Sequence, residues 1–242
     1  MSALDDLAVT PFHDADAPSR ARMLSRLADT ELAVALLREP AGDEVALRMF
    51  PLEGGEVALA CDSEDRLADF FGAPTPYAAM PGRVLAGLLK AAGAGLLVNP
   101  GAPSEMLLDA GMLDWLTGAL AGTPEEAEAR LRLVAPAPEV LEALAEPLAA
   151  RLADMRGLAS GAALVGVAGG GHLVMLAGTD PARQPAIAKA LAEALAFLPP
   201  QPGGVDVSFA DTPPPAGALR FDMSLPAPPS PAPKPKGPPI LR

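Results

Sequence analysis

Asn99, Pro100, Gly101, Ser104 and Glu105 stand close together in the stretch Gly95–Met106, GLLVNPGAPSEM. An apolar run stops at Asn-Pro-Gly, and a serine and a glutamate follow. Proline and then glycine at the centre of a turn predict a type II turn. Asn99 precedes a proline, which pushes it toward extended backbone. Ser104 is placed to cap a helix whose apolar stripe starts at Met106. The free N–H groups of such a helix start would also suit an anion. The stretch therefore has two readings, a strand exit with a helix cap or a ligand loop.

Other chemistry is thinly supplied. The chain has one cysteine, Cys61, and two histidines, His13 and His172, far apart in sequence. No His/Cys metal cluster of standard spacing can be assembled from them. Cys61 ends an apolar run and is expected to be a buried, inert thiol. The run GVAGGGHLVM lacks the Lys-Ser or Lys-Thr that a phosphate loop needs, and a strand-like segment follows it. A hairpin turn accounts for its glycines. The acidic pairs Asp5–Asp6 and Asp43–Glu44 sit in predicted loops as solvated charges. Nothing in the sequence pairs two carboxylates in an apolar pocket, which acid–base catalysis would need. No cofactor is expected.

The elements that must position these residues follow from periodicity and turn chemistry. Residues 1–18 carry Pro and Asp with little pattern and are expected to form a loose acidic arm. A helix over Ala17–Asp29, capped by Ser19, places Met23, Leu24 and Leu27 on one side. Three short apolar runs separated by Gly-containing or acidic turns, TELAVALLR, VALRMFPL and VALAC, predict a strand meander. Asp62 or Ser63 caps the helix SEDRLADFFG, which ends at Gly72. After the loop APTPYAA, Pro81 opens a helix with Val84, Leu85, Leu88 and Leu89 at helical spacing. GLLVN is a short buried strand, and MLLDAGMLDWLTGALAG is an apolar helix. The second half gives a strand at LRLVAPA, a helix from Pro138 with Pro147 inside it, a glycine hairpin, a helix after Asp180-Pro181 and a last strand at GVDVSFA.

Composition bounds the partners. Half of the 242 residues are hydrophobic but only 4% are aromatic, so the core is aliphatic. Net charge is −12, and the acidity lies mostly in the first half. Phosphate backbones and anionic membranes need a basic footprint, so neither nucleic acid nor a membrane is an expected partner. The N-terminus has no signal-like apolar core, and no uncharged stretch suits a membrane helix. A cytoplasmic protein is expected. The fold class is α+β, as two small units with mixed or antiparallel sheets. The units cover 19–122 and 123–212, and 213–242 form a proline-rich, disordered tail.

Three segments, MPGRVLAGLL, GLLVNPGAPSEMLL and MLDWLTGAL, together resemble the N-terminal domain of the bacterial SseB (enhanced serine sensitivity) family. The likeness covers roughly residues 19–121. The second half, ending in GVDVSF, resembles the family's C-terminal domain more weakly. The resemblance implies a small α+β domain in a bacterial cytoplasmic protein. It carries over no catalytic residue. It marks Arg83, Asn99, Pro100, Gly101, Ser104 and Glu105 as either a structural turn or an interaction surface.

The expected function is that of a non-enzymatic binding or regulatory protein. Its partner would be another copy of the chain or a sulfur- or serine-related enzyme, docked on Arg83 and the Asn99–Glu105 loop. The alternative is an enzyme or small-molecule binder with a pocket between the two units. That alternative requires Arg83, Ser104, Glu105 and His172 to converge on one concave site.

Overall fold

Leu, Ala and Val dominate both halves, and they sort into two sheets, the first with helices on both faces and the second with helices on one. A computed structural model describes residues 2–40, 45–127 and 130–225. In the first unit the elements are α1 (Ala3–Leu7), α2 (Ala17–Asp29), β1 (Glu31–Ala35), β2 (Met49–Leu52) and β3 (Gly55–Cys61). Then come α3 (Glu64–Phe71), β4 (Tyr77–Pro81), α4 (Gly82–Ala92), β5 (Gly95–Val98), β6 (Met106–Leu108) and α5 (Ala110–Leu120). The second unit holds β7 (Leu133–Val134), α6 (Pro138–Ala153), β8 (Gly161–Val167), β9 (His172–Ala177), α7 (Gln184–Ala196), β10 (Val205–Phe209) and β11 (Leu219–Phe221). The protein is α+β.

The first sheet runs β4-β1-β3-β5-β6, with β2 hairpin-paired to the start of β3. β3 and β5 are parallel and the other pairs antiparallel, so the sheet is mixed. Strand alternation sends Leu32, Val34, Ala58, Ala60, Leu96 and Val98 to a core shared with α1, α2, α4 and α5. The opposite face presents Ala33, Ala35, Leu59 and Cys61 to α3 alone. Ser63 caps α3, and Gly72 ends it in the left-handed conformation, as its sequence predicts.

The second sheet runs β10-β9-β8-β11, with β7 also on β8. Its α6/α7 face buries Val140, Leu144, Leu148, Leu164, Val174 and Leu191. Three left-handed glycines, Gly169, Gly170 and Gly171, turn β8 into β9. Phe197, just past α7, is buried in the first unit's core and meets Trp115 edge-on at 5.6 Å.

Five expectations need correction. The arm is ordered: Ser2 and Asp5 form a capping box on α1, and Leu4 and Phe12 are buried. Asp16, not Ser19, caps α2 by accepting from the Ser19 N–H. Tyr77–Pro81, expected as the end of a loop and the opening of a helix, is an edge strand, because pairing with β1 overrides the low strand propensity of its alanines. Met106–Leu108 is a strand on β5 rather than the start of a helix, and Asp109 caps α5 instead. The tail does not begin at 213: residues 210–218 cross over the second sheet to β11, and Met223 is buried. Ala210 and Ala218 pack on Ala163, Val165, Leu173 and Met175, the face that no helix covers. The pair Asp43–Glu44 and the segment 226–242 lie outside the described residues.

Candidate functional site

β5 delivers Asn99 to the carboxyl end of the first sheet, where its N–H extends the ladder to the Ala60 carbonyl (3.0 Å). Asn99 does not adopt the extended backbone expected before a proline. Its φ is +47°, and it is the one non-glycine residue with positive φ among the described residues. Asparagine tolerates this conformation best, and its side chain makes two bonds that offset the cost. Oδ1 accepts from the Asp62 N–H (2.9 Å), and Nδ2 donates to Ser104 Oγ (2.9 Å). The Pro100–Gly101 turn is present, with the Ala102 N–H on the Asn99 carbonyl (3.1 Å) and Gly101 at φ +77°. Exposed Glu105 closes the loop by accepting from the Gly101 N–H (2.6 Å).

Ser104 caps no helix. Its hydroxyl donates to Asp5 Oδ1 (2.6 Å), and Arg66 donates to Asp5 Oδ2 (2.8 Å). Arg66 also donates to Asp62 Oδ1 (2.8 Å), so two carboxylates flank one guanidinium. Asn99 and Ser104 are fully buried, and the side chains of Asp5 and Asp62 are nearly so. Asp5 is therefore no solvated loop charge: it ties α1 to the loop and to α3. Burial pushes its carboxyl up, but the hydrogen bonds from Arg66 and Ser104 and the Arg66 charge hold it well below its ordinary value. Asp62 Oδ2 is buried without a hydrogen-bond partner among the described residues.

MPGR resolves into four separate jobs. Met80 packs on the first core, and Pro81 ends the edge strand. The Gly82 N–H bonds the Thr30 carbonyl (2.9 Å), and the missing side chain lets α4 meet the backbone of α2 at Leu27. Arg83 then points across to the second unit. It donates to Glu193 Oε1 and Oε2 (3.1 and 3.0 Å) and to Asp29. Arg151 of α6 donates to the other Asp29 oxygen (2.6 Å), so Asp29 bridges arginines from both units. Burial pushes Asp29 up, yet the two arginines leave it below its ordinary value. Replacing Arg83 by methionine should weaken the junction by about 1–2 kcal/mol, a buried-pair loss discounted for its partial exposure. Trp115, the one tryptophan, reports the junction through Phe197. In urea its fluorescence should change before the far-ultraviolet circular dichroism does in R83M, and coincident transitions would contradict this.

The six expected site residues do not form one surface. Along this end of the sheet, β4 and β5 are separated by β1 and β3, about 14 Å at ordinary strand spacing. Arg83 shares no hydrogen-bond partner with the loop. His172 belongs to β9, where Nε2 accepts from the Ala137 N–H (3.4 Å), and Cys61 is buried under α3 with its thiol pushed up to about 11, first by burial. Arg83, Ser104, Glu105 and His172 thus do not converge. A small cleft of about 110 Å³ does lie between the units, lined by Arg26, Asp29, Arg151 and Phe197, but its arginines already meet carboxylates. A second cleft of about 310 Å³ lies where residues 210–214 leave the sheet, beside Ser160 and Arg220.

Among the described residues, no three His, Cys, Asp or Glu side chains group to hold a metal ion, and no helix is long and apolar enough to cross a membrane. The contacts of Asp5, Asp29, Arg66, Arg151 and Glu193 escaped the sequence reading, because a partner tens of residues away leaves no local pattern. The nearest signal was the capping box spelled by Ser2 and Asp5.

Another surface gathers what the composition makes scarce. Phe50 and Phe71 stack at 6.2 Å, Phe70 meets Phe71 edge-on at 5.1 Å, and Tyr77 packs beside them on the α3 face. Arg48 lies over the rings of Phe50 and Phe71 at 5.4 and 4.7 Å. Phe70 and Leu52 are about half exposed, and the same hairpin and helix expose Glu53, Glu56, Glu64, Asp65 and Asp69.

No curated protein and no solved structure matches the chain. One family model does, described as the SseB protein N-terminal domain, over residues 7–115. The match takes in the Asn-Pro-Gly loop, Arg83 and the aromatic face, and leaves the second unit outside it. The first unit of this chain is similar to the SseB protein N-terminal domain.

Proposed function

We propose that this SseB-type protein is a non-enzymatic binding protein that docks a basic, extended, proline-containing segment of a protein partner on the α3 face. One observation carries the reading: four of the chain's nine aromatic residues gather on that face, on a hairpin and a helix that also expose carboxylates. Aromatic grooves accept extended proline-rich segments because such segments are already ordered before binding. Rings that already hold Arg48 suit a further cation. Arg83 and the Asn99–Glu105 loop serve the fold in this reading, since their polar atoms are engaged within the protein. Another copy of the chain carries such a segment in residues 226–242. A sulfur- or serine-related enzyme qualifies only if it exposes one. The reading keeps the protein in the bacterial cytoplasm.

The test is fluorescence anisotropy on the full chain with a fluorescein-labelled proline-rich decapeptide carrying two lysines, beside a twin carrying two glutamates. The lysine peptide should bind at least about tenfold more tightly than its twin. Phe70→Ser, at an exposed position, should weaken it by about tenfold with an unchanged melting temperature. Equal binding of both peptides, or no effect of Phe70→Ser, would refute the docking face.

A further inference from the structure

We infer that the first occupant of the aromatic face is the chain's own C-terminal segment, residues 226–242, which covers the face until a partner's segment displaces it. This rests on the docking reading above and names what competes there.

Four observations lead to it. The segment, PAPPSPAPKPKGPPILR, holds eight prolines, Lys234, Lys236 and Arg242, and no acidic residue. Without those three charges the chain's net −12 becomes −15, so a basic segment is tethered to a strongly acidic body. The hairpin and helix that carry the aromatics also expose Glu53, Glu64, Asp65 and Asp69, the charge opposite to the segment's. The described chain ends at Leu225, which sits beside Gly157 in the second unit. Seventeen residues at about 3.1 Å each reach about 50 Å, against a diameter of roughly 45 Å for a compact chain of this size. The segment can therefore reach the first unit.

Tethering decides the competition. A short linked segment meets its site at an effective concentration on the order of millimolar, so weak intrinsic affinity suffices to keep it seated. A partner must then bind more tightly than the segment or arrive with more than one contact. The same arithmetic makes the lysine decapeptide bind the full chain more weakly than the open face would allow.

The full chain carries its own test. Cys61 is inaccessible, so Ser230→Cys gives a single site for a nitroxide spin label. In dilute ¹⁵N-labelled protein, the amide signals of Phe50, Phe70, Phe71 and Tyr77 should broaden at least about threefold more than those of β8 and β9. Lys234→Glu with Lys236→Glu in the labelled chain should abolish the difference, and should tighten decapeptide binding about tenfold or more. Uniform broadening, or none, overturns the inference. Broadening seen only between spin-labelled ¹⁴N chains and unlabelled ¹⁵N chains also overturns it, in favour of a second copy. If the decapeptide shifts the aromatic-face amides while the spin label leaves them sharp, the docking face stands and the tail's role falls. If neither perturbs them, both fall.

Discussion

Gly82→Ala should lower the unfolding free energy by about 3 kcal/mol or more. A Cβ at Gly82 would overlap the Leu27 carbonyl oxygen, with the Leu27 carbonyl carbon at 3.0 Å and the Ala28 Cα at 3.5 Å behind it. All three are backbone atoms of α2, so no rotamer change can relieve the clash. Relief requires α4 to move off α2, which breaks the Gly82–Thr30 bond and opens the core at Leu27, Leu85 and Leu89. At roughly 2–4 °C per kcal/mol for a chain of this size, the melting temperature should fall by about 6–12 °C. Gly87→Ala is the control. It lies in the same helix with no atom near its Cβ position, so alanine should stabilise by about 0.5–1 kcal/mol. Opposite shifts from two Gly→Ala changes five residues apart would establish close helix approach as the reason for the glycine in MPGR. Equal shifts would refute it.

Local chemistry explains what was legible in the sequence. Gly72 and Ser63 bound α3, the Pro-Gly pair makes its turn, and three glycines make the β8–β9 hairpin, because each depends on its own φ or its own side chain. Tyr77–Pro81 and Leu219–Phe221 were missed because each becomes a strand only through a partner distant in sequence. Met106–Leu108 was misread for a related reason. Met and Leu suit helix and strand alike, and the register with Val98 decides between them. The turn at Pro100–Gly101 was legible, but the part Ser104 plays was not. Ser104 pointed by type to a helix cap, yet its hydroxyl meets an aspartate 99 residues earlier. The aromatic face was invisible for the same reason, since Phe50 and Phe71 meet only once the β2–β3 hairpin and α3 pack together.

Asp5→Ala should cost about 3 kcal/mol at neutral pH, more than ordinary arm residues allow. The carboxylate accepts from Arg66, Ser104 and the Ser2 N–H at once, so its removal takes an acceptor from α3, from buried Ser104 and from the α1 cap together. Arg66 keeps Asp62, which limits the loss. The sign of the pH dependence follows from the depressed carboxyl. In the unfolded chain Asp5 titrates near pH 4, and in the fold it titrates lower. Its contribution is therefore complete above about pH 4 and is lost as the pH falls through the folded value. Asp29 shifts in the same direction and adds to the acid sensitivity of the wild type. Asp5→Asn, which keeps the shape and removes the titration, separates charge from packing. Between pH 4 and pH 2 the wild type should lose stability more steeply than Asp5→Asn, by up to about one proton, or 1.4 kcal/mol per pH unit. Urea melts at pH 7, 4, 3 and 2 measure both effects. Parallel pH profiles for the two proteins would show that Asp5 carries no charge-dependent stability, and that the arm is held by Leu4 and Phe12 alone.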